Sequence, residues 1–454
     1  MHDFISQLDA MMPAAITGSV ARVEGMMTAV AGFPVPVGAI VEIERQGNRP
    51  IRGEVIGVRD DLTLVYPFQL LQGVRRGNRV HLRRTSRTIR VGHQLLGRVV
   101  NAHGQPADRL PEPAMTHRVA IDQPAPPALD RPTIDKSLST GIRAIDALLT
   151  CGRGQRMGIF SGSGVGKSVT LGMMARYTSA DVIVVGLIGE RGREVNEFLL
   201  RDLGPQGLAR SVVVVATSDE PALMRIHAAL TATAVAEYFR DAGNDVLLLM
   251  DSVTRFAMAQ REIGLAAGEP PTTRGYPPSV YSLLPKLVER AGRTAQGSIT
   301  AFYTVLVEGD ETNEPVSDCV RGLLDGHTIL SRKIANRGHY PAIDVLESIS
   351  RVMPAIVPSD QAEAALKFKE LMAVYRDHED LISIGAYRSG ANPLVDVAIT
   401  LRDEMNRFLQ QRVTEQTTVD TARGELLKLV GKIASIRKPV LAGAGTSTSR
   451  TPAR

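Results

Sequence analysis

Two hydrophobic patterns divide most of the chain. Between residues 17 and 92, short runs rich in Val and Ile, such as GAIVEIE and RGEVIGV, are separated by Gly, Pro and Asn. Regular short strands with turn signals predict a small β-barrel or sandwich. From 93 to 355, long aliphatic runs alternate with helical segments. This alternation predicts an α/β unit with a parallel sheet covered by helices on both faces.

The aliphatic runs of the α/β unit lie at 157–160, 182–188, 211–217 and 245–251. Helices are predicted after Lys167, from Glu194, and from Pro221 to Asp241. The proline-rich stretch APPALDRP, residues 125–132, predicts an extended connector that leads into these strands.

The two ends of the chain have different patterns. In residues 1–16 one helical stripe precedes Pro13, and this short amphipathic helix either packs on the next domain or docks a partner. Its members are Phe4, Ile5, Leu8, Met11 and Met12. Residues 356–440 are predicted to form a helical domain. Residues 441–454, rich in Ala, Gly, Ser and Thr, are predicted to be disordered.

Composition narrows the class of protein. A chain of 454 residues is expected to form two or three domains. Two cysteines are too few for a disulfide framework and suit a reducing cytoplasm. No apolar run reaches the roughly 18 residues of a membrane-spanning helix, and the first residues lack the features of a signal peptide. We therefore expect a cytoplasmic protein whose membrane contact, if any, is peripheral.

Seven arginines lie in a short stretch of the barrel region. A solvated face is the default interpretation, with acidic lipid or another subunit as alternatives. Nucleic-acid-binding barrels interleave such charge with stacking aromatic residues, whereas residues 17–100 contain only Phe33, Tyr66 and Phe68. We therefore expect no nucleic-acid partner. The arginines are Arg75, Arg76, Arg79, Arg83, Arg84, Arg87 and Arg90.

The stretch SGSGVGKS predicts a phosphate-binding loop. It follows a predicted strand and opens a helix, which is the context that such a loop requires. Bare backbone at the glycines can wrap phosphates, Lys167 can reach their outer charge, and Ser168 can ligate Mg²⁺. The predicted nucleotide contacts are Ser161, Gly162, Ser163, Gly164, Val165, Gly166, Lys167, Ser168 and Val169.

Two carboxylates are predicted to lie beside this loop. Asp251 ends the aliphatic run VLLLMD, and the carboxyl edge of a parallel sheet is where a carboxylate can hold Mg²⁺ or its waters. Glu190 follows the run at 182–188, next to Arg191, and can position and polarise an attacking water. Two further candidates are Arg351, which can supply positive charge across a subunit interface, and Tyr340, which either stacks on adenine or fills a core.

Several longer segments carry a family resemblance. SGSGVGKS, GLIGERGRE and HYPAIDVLESISRVMP resemble the catalytic head subunits of rotary ATPases. TRGYPPSVYSLLPKLVERAG, GSITAFYTVLVEGDETNEPVSD and DGHTILSRKIA are similar to the flagellar and type III secretion ATPases. The resemblance runs from about residue 17 to residue 411. LISIGAYRSGANPLVDVAI and NEPVSDCVRGLLDGH favour the flagellar branch, while the basic stretch 428–438 matches no expected segment.

The resemblance implies a RecA-like nucleotide domain between the barrel and the helical domain, assembled as a homohexameric ring that hydrolyses ATP with Mg²⁺. It assigns the loop to phosphate, Glu190 and Arg191 to catalysis, and Asp251 with Ser168 to magnesium. Tyr340 is then the adenine contact and Arg351 the finger that enters the neighbour's site.

Partners also follow from the resemblance. The segments 269–279 and 308–316 are expected to face the central pore and a coiled-coil stalk protein. A stator-like regulator, an export gate and substrate–chaperone complexes are the other expected partners. Three alternatives stay open: a non-flagellar secretion ATPase, a head subunit of an ATP synthase, and an RNA-dependent hexameric motor similar to a transcription terminator.

Overall fold

The computed structural model describes residues 16–47, 49–307 and 314–441. The predicted helix at 3–12 and the tail at 442–454 lie outside these residues, as do positions 308–313 of the predicted pore segment. Among the described helices, none combines the length and the apolarity that crossing a membrane requires.

A closed six-stranded barrel follows residue 16. Its strands pair in the order β1-β2-β5-β4-β3-β6, and all neighbours are antiparallel. Alternate apolar side chains, including Val30, Val41 and Val55, fill the interior and are fully buried. The strands are β1 (Thr17–Glu24), β2 (Met27–Ala31), β3 (Ile40–Ile43), β4 (Ile51–Arg59), β5 (Leu62–Pro67) and β6 (Arg79–Arg84).

Short elements connect the barrel to the main sheet. β7 (Thr88–Val91) pairs with β9 (His117–Ala120), and β10 (Ser137–Leu138) pairs with β11 (Cys151–Gly152). β8 (Arg98–Asn101) joins the edge of the main sheet next to β14 (Ser211–Thr217). The segment 121–136 between β9 and β10 contains no strand, as a connector would, but a 3₁₀ turn at Ala128–Asp130 interrupts the extended stretch predicted there.

The main sheet has nine strands, in the order β19-β18-β12-β17-β15-β13-β14-β8, with β16 paired to β17. Most neighbours are parallel, as predicted, but β19 and β16 run antiparallel to theirs, so the sheet is mixed. The remaining strands are β12 (Arg156–Ser161), β13 (Val182–Glu190), β15 (Asp245–Asp251), β16 (Gly292–Arg293), β17 (Ser298–Leu306), β18 (Gly326–Leu330) and β19 (Ile343–Ser350).

Helices cover both faces of this sheet, which confirms the predicted α/β core. Because β13, β14 and β15 are buried on both sides, they consist of continuous aliphatic residues. The helices of this region are α1 (Arg143–Leu148), α2 (Lys167–Tyr177), α3 (Gly192–Glu197), α4 (Gly204–Ala209), α5 (Ala222–Asp241), α6 (Val253–Ala266), α7 (Pro278–Val288), α8 (Pro315–Leu323), α9 (Arg332–Asn336) and α10 (Met353–Ile356).

The helix predicted from Glu194 differs from the observed structure. It begins at Gly192, widens into a π-helical turn at Phe198–Leu203, and restarts as α4. Gly204 has φ +64° and Pro205 follows it, so the backbone leaves the regular helix at this point.

The C-terminal region is helical, as predicted. α11 (Ser359–Ser383), α12 (Pro393–Leu409) and α13 (Val419–Leu441) pack on one another, and the rings of Phe368 and Phe408 lie 5.4 Å apart. Gln411 fastens this region to the nucleotide domain, because its amide donates to Gly141 O at 2.8 Å and its carbonyl accepts from Arg143 N. The basic stretch 428–438 lies on α13.

Candidate active site

The glycine-rich loop spans the gap between β12 and α2. β12 ends at Ser161 and α2 begins at Lys167, so the loop leads directly into a helix N-terminus. Gly164 and Gly166 have φ of +79° and +93°, a left-handed conformation in which a side chain would be strained. The first N–H groups of α2 have no partners within the helix and face the loop, which makes this an anion-binding geometry.

Strand order places two carboxylates next to the loop. β15 and β13 lie two and three strands along from β12, and all three end at the same edge of the sheet. Asp251 is the last residue of β15, and Glu190 is the last residue of β13.

Lys167 contacts both carboxylates. Its Nζ lies 2.5 Å from Asp251 Oδ1 and 3.5 Å from Glu190 Oε1. Burial opposes a charge on this side chain, but the Asp251 and Glu190 carboxylates outweigh burial and raise the pKa of the Lys167 ammonium. The amine is therefore held in its charged form.

Asp251 is fixed by a second contact. The hydroxyl of Thr304, on β17 between β12 and β15, donates to Asp251 Oδ1 at 2.7 Å. The Asp251 carboxylate is 3% exposed, so its orientation is set by Lys167 and Thr304 rather than by solvent.

A bulge in β13 positions Glu190. The register of β13 against β14 shifts between Ile188 and Glu190, and Gly189 between them has φ +73°. Burial and, after it, the charge of Asp251 raise the pKa of the Glu190 carboxyl to about 7, while Lys167 opposes the rise. Its Oε1 is buried and accepts no hydrogen bond in the described part of the chain. A carboxylate with these properties is suited to accept a proton near neutral pH.

A cleft of about 470 Å³ opens over the loop. Charged side chains line the cleft. They belong to the end of β13, the residue after it, α3, the π-helical turn, and α6. These side chains are Glu190, Arg191, Glu194, Glu197, Arg201, Asp202 and Arg255.

Two family models match the chain in adjacent blocks. The ATP synthase alpha/beta family nucleotide-binding domain matches residues 141–350, and the T3SS EscN ATPase C-terminal domain matches residues 357–428. The first block contains the loop and both carboxylates.

Curated relatives extend the likeness over most of the chain. The flagellum-specific ATP synthase of Bacillus subtilis is 49% identical over 416 residues, which cover 91% of this chain and 95% of the relative. The type 3 secretion system ATPase of Xanthomonas euvesicatoria is 51% identical over 414 residues, covering 91% and 93%. Among solved structures, the assembled ATPase EscN from the enteropathogenic E. coli type III secretion system matches with a TM-score of 0.86 at 45% identity. That match covers 91% of this chain and all of the EscN chain.

The chain belongs to the family of flagellum-specific and type III secretion ATPases. The predicted family and its RecA-like ATPase core are thereby confirmed. EscN has also been solved in complex with its central stalk EscO, and that structure matches this chain with a TM-score of 0.85 at 44% identity.

The predicted loop residues of this export-type ATPase take two positions. Ser161 and Val165 are buried beneath the loop, at 2% exposure each, and do not line the cleft. The Ser161 hydroxyl has no hydrogen-bond partner among the described residues. The others line the cleft directly: Gly162, Ser163, Gly164, Gly166, Lys167, Ser168 and Val169.

The ring of Tyr340 lies next to Gly166 of the loop. A side-chain carbon placed on Gly166 would come within 3.5 Å of the Tyr340 ring. The ring is 47% exposed, so it lies at the rim of the loop and does not fill a core. Its backbone carbonyl accepts from Gln411 N at 3.0 Å, which ties it to the helical region.

Arg351 lies outside the cleft, whereas Arg191 lies in it next to Glu190. Arg351 follows β19, is exposed, and does not line the cleft of its own chain. In the described part of the chain, no carboxylate pairs with it. Arg191 lines the cleft, but its side chain is 75% exposed and pairs with Glu194 at 3.6 Å.

Three further site residues were not predicted from the sequence. Arg255 lies on α6 four residues after Asp251 and lines the cleft. Glu194 lies on α3, four residues after Glu190, and shares a hydrogen bond with it. Thr304 lies within the buried strand β17, and nothing in its local sequence marks it.

Proposed function

We propose that this chain hydrolyses ATP as the homohexameric, protein-translocating motor of the flagellar protein export apparatus, where it releases, unfolds and delivers export substrates. One observation carries the hydrolytic part of the proposal. Lys167, Glu190 and Asp251 converge at the sheet edge beside a glycine-rich loop that opens a helix. Membership of the secretion ATPase family supports the export part.

The loop and Lys167 bind the substrate's phosphates in this proposal. Backbone N–H groups at Gly164 and Gly166 and the N-terminus of α2 donate to phosphate oxygens, and the Lys167 ammonium neutralises the outer charge. Lys167 then exchanges its contact with Asp251 for a phosphate oxygen. Tyr340 at the rim of the loop stacks on adenine.

Ser168 and Asp251 fit a magnesium site. A hydroxyl and a carboxylate are oxygen donors of the kind that Mg²⁺ takes from proteins, and substrate phosphates and waters complete its coordination. When bound, the ion supplies charge neutralisation to the phosphates. Thr304 and Lys167 hold the Asp251 carboxylate in place for this role.

Glu190 orients the attacking water and accepts its proton. The buried Glu190 Oε1 makes no regular hydrogen bond among the described residues, its contact with the Lys167 ammonium being 3.5 Å long, and the bulge at Gly189 directs it into the cleft. Arg191 and Arg255 line the same cleft and contribute positive charge around the reacting phosphate.

A homohexamer completes the site. Arg351 lies outside the cleft of its own chain and carries an unpaired charge among the described residues, so it suits a finger that enters the neighbouring subunit. One chain then supplies the loop, both carboxylates and the finger. The EscN relative has been solved in an assembled form, which supports self-assembly.

The stalk, the regulator and the gate are proposed partners. EscN has been solved with a central stalk, and we assign the segments 269–279 and 308–316 to the corresponding surface. Within the first segment, Ser279 N donates to Glu269 at 3.1 Å, which closes the connection between α6 and α7 into a compact loop. A stator-like regulator, the export gate and substrate–chaperone complexes are the remaining proposed partners, with the ring in the cytoplasm and peripheral to the membrane.

The barrel argues against RNA as a partner. Phe33, Tyr66 and Phe68 are at most 7% exposed, so none presents a ring on which a base can stack.

The first experiment is ATP turnover of the purified chain against its concentration, with oligomer mass measured in parallel and RNA added to one series. Turnover that rises cooperatively as a homohexamer forms, and that ignores RNA, supports the proposal. A chain that stays monomeric and inactive supports an ATP synthase head subunit that lacks its second chain. Activity that requires RNA supports a terminator-like motor.

A non-flagellar secretion ATPase is the second candidate, because identity to the Xanthomonas type 3 secretion system ATPase, 51%, matches that to flagellar relatives. Deletion of the gene in its source organism separates the two. Loss of flagellin export and motility supports the flagellar assignment, whereas intact motility with lost export of other substrates supports the second candidate.

A further inference from the structure

A second cavity, of about 310 Å³, lies where the barrel meets the nucleotide domain. Barrel strands β3, β4 and β6 form one wall, and the other includes β7, the turn after β8, and α5. It shares no residue with the nucleotide cleft. Its charged lining consists of Arg52, Arg83, Arg84 and Arg87 with a single carboxylate, Glu42.

Positive charge exceeds negative charge around this cavity. Glu42 accepts from Arg52 Nε at 3.2 Å and from Arg83 Nε at 2.8 Å, so one carboxylate serves two guanidinium groups. Arg87 pairs with Glu54 and Asp122. Arg84 has no carboxylate partner in the portion of the chain that the structure describes.

The charged groups around Arg84 are also arginines, so positive charge is in excess there. Burial lowers the pKa of its guanidinium, and the charges of Arg118, Arg52 and Arg90 lower it further. Arg84 and these three arginines lie on four different strands. They are therefore brought together by the fold and do not come from one stretch of sequence. An anion in the cavity would relieve their mutual repulsion.

The floor of the cavity contains a buried imidazole. His227, on α5, is 1% exposed, and its Nε2 lies 2.6 Å from Glu54 Oε2. Neither ring nitrogen makes a hydrogen bond of regular geometry among the described residues, and Nδ1 has no ion-pair contact there either. Buried polar atoms are rarely left without a partner, so Nδ1 marks the floor as a place for a polar ligand atom.

Aromatic rings surround this imidazole. The Phe68 ring lies 5.4 Å from His227 and 4.8 Å from His103, measured between centroids. Burial lowers the pKa of His103 to about 4, so this ring is neutral at physiological pH. The cavity therefore combines a cationic mouth with an aromatic floor, beneath which His227 contacts the buried Glu54 carboxylate.

We propose that this junction cavity binds a compact solute that carries a phosphate group. Guanidinium groups match phosphate oxygens in bidentate geometry, and Arg84 is free to do so. A volume of about 310 Å³ accommodates pyrophosphate or a small phosphorylated metabolite and excludes a folded macromolecule. The ligand contacts both the barrel and α5, so its binding joins the two domains.

Calorimetric titration of pyrophosphate into the full-length chain tests this site. The nucleotide site is first saturated with Mg²⁺ and ADP, and the titration is repeated with Lys167→Ala to separate the two sites. The test variant is Arg84→Gln, which breaks no described ion pair. The matched control is Arg76→Gln, an exposed barrel arginine that does not line the cavity.

Saturable binding that persists in Lys167→Ala and in Arg76→Gln, and that weakens at least about tenfold in Arg84→Gln, supports the site. The ligand should also raise the melting temperature of the wild type more than that of Arg84→Gln. Absent binding, equal binding by both arginine variants, or loss of binding in Lys167→Ala overturns the proposal.

Lipid headgroups also carry phosphate. The last experiment therefore measures co-sedimentation of the protein with phosphatidylglycerol vesicles. The recessed floor predicts that vesicle binding is equal in Arg84→Gln and Arg76→Gln. Vesicle binding that depends on Arg84, with no binding of pyrophosphate, would show a membrane surface and overturn the solute site.

Discussion

The Lys167 ammonium lies 2.5 Å from the Asp251 carboxylate, although 84 residues separate them in sequence. The contact forms because β12 and β15 flank β17 and end at the same edge of the sheet. A buried lysine beside two buried carboxylates is a charged group held in place for an incoming anion. In the proposed function, substrate phosphates would compete with Asp251 for Lys167, and Asp251 with Ser168 would hold the magnesium ion.

We predict that Lys167→Ala abolishes ATP turnover, with a loss of at least about 10²–10³-fold. The variant removes the positive charge that faces the phosphates and leaves Asp251 and Glu190 adjacent without a cation between them. Steady-state phosphate release measures the loss, and circular dichroism confirms folding. Lys136→Ala, at an exposed lysine outside the cleft, is the control. Normal turnover by Lys167→Ala would contradict the assignment of the nucleotide site.

Glu190→Gln should bind ATP with nearly normal affinity and hydrolyse it about 10²–10⁴-fold more slowly. The amide keeps the shape of the side chain but cannot accept a proton from water. Fluorescent nucleotide titration and single-turnover hydrolysis separate binding from chemistry. Glu197→Gln, in the same cleft wall, should retain turnover. If Glu190→Gln instead loses nucleotide binding, the carboxylate has a structural role.

The pH dependence of kcat/KM should report Glu190. A base acts only when ionised, and burial together with Asp251 raises the pKa of this carboxyl to about 7. The ratio should therefore rise as pH increases through about 7 and then level off. The hydrogen bond with Glu194 raises the pKa of Glu190, so Glu194→Ala should move the rise to lower pH. A profile that is flat from about pH 5.5 to about pH 8.5 would exclude Glu190 as the base.

Some residues of the candidate site could be predicted from local sequence, whereas others depend on contacts that form only in the fold. The loop could be predicted because its residues are contiguous, and Asp251 and Glu190 because each ends an aliphatic strand. The contact of Thr304 with Asp251 could not be predicted, because it requires β17 to lie between β12 and β15. That order of strands in the sheet is not visible in the sequence around Thr304. The raised pKa of Glu190 likewise depends on burial and on the position of Asp251, both of which arise only in the folded chain.

The fold shows the same division. Strand periodicity identified the barrel and the α/β core, but not the antiparallel edge strand β19. That strand pairs with β18 through a register shift between His327 and Ile329, a long-range feature without a local signal. The end of the π-helical turn at Leu203 could have been predicted, since Gly204 and Pro205 follow it directly, whereas nothing in the sequence at Phe198 marks its start.

Arg351→Ala and Lys167→Ala chains should each be inactive alone and recover part of the activity when mixed. In a mixed ring, a chain with intact Lys167 receives the arginine of its Lys167→Ala neighbour, so complete sites form between unlike subunits. Turnover across mixing ratios, with ring formation confirmed by mass measurement, checks this. Each variant mixed with itself is the control. No recovery in rings shown to contain both chains would contradict action in trans.

Tyr340→Ala should weaken ATP binding by about 5- to 150-fold, because base–aromatic stacking contributes about 1–3 kcal/mol per base. Tyr340→Phe keeps the ring against Gly166 and should bind ATP like the wild type. Equilibrium titration with ATP and with inorganic triphosphate distinguishes the cause, since triphosphate lacks a base and should bind all three proteins equally. A Tyr340→Ala variant that weakens both ligands alike would show that the ring supports the phosphate loop rather than adenine. Tyr340 would then be assigned to packing against Gly166 and not to binding the base.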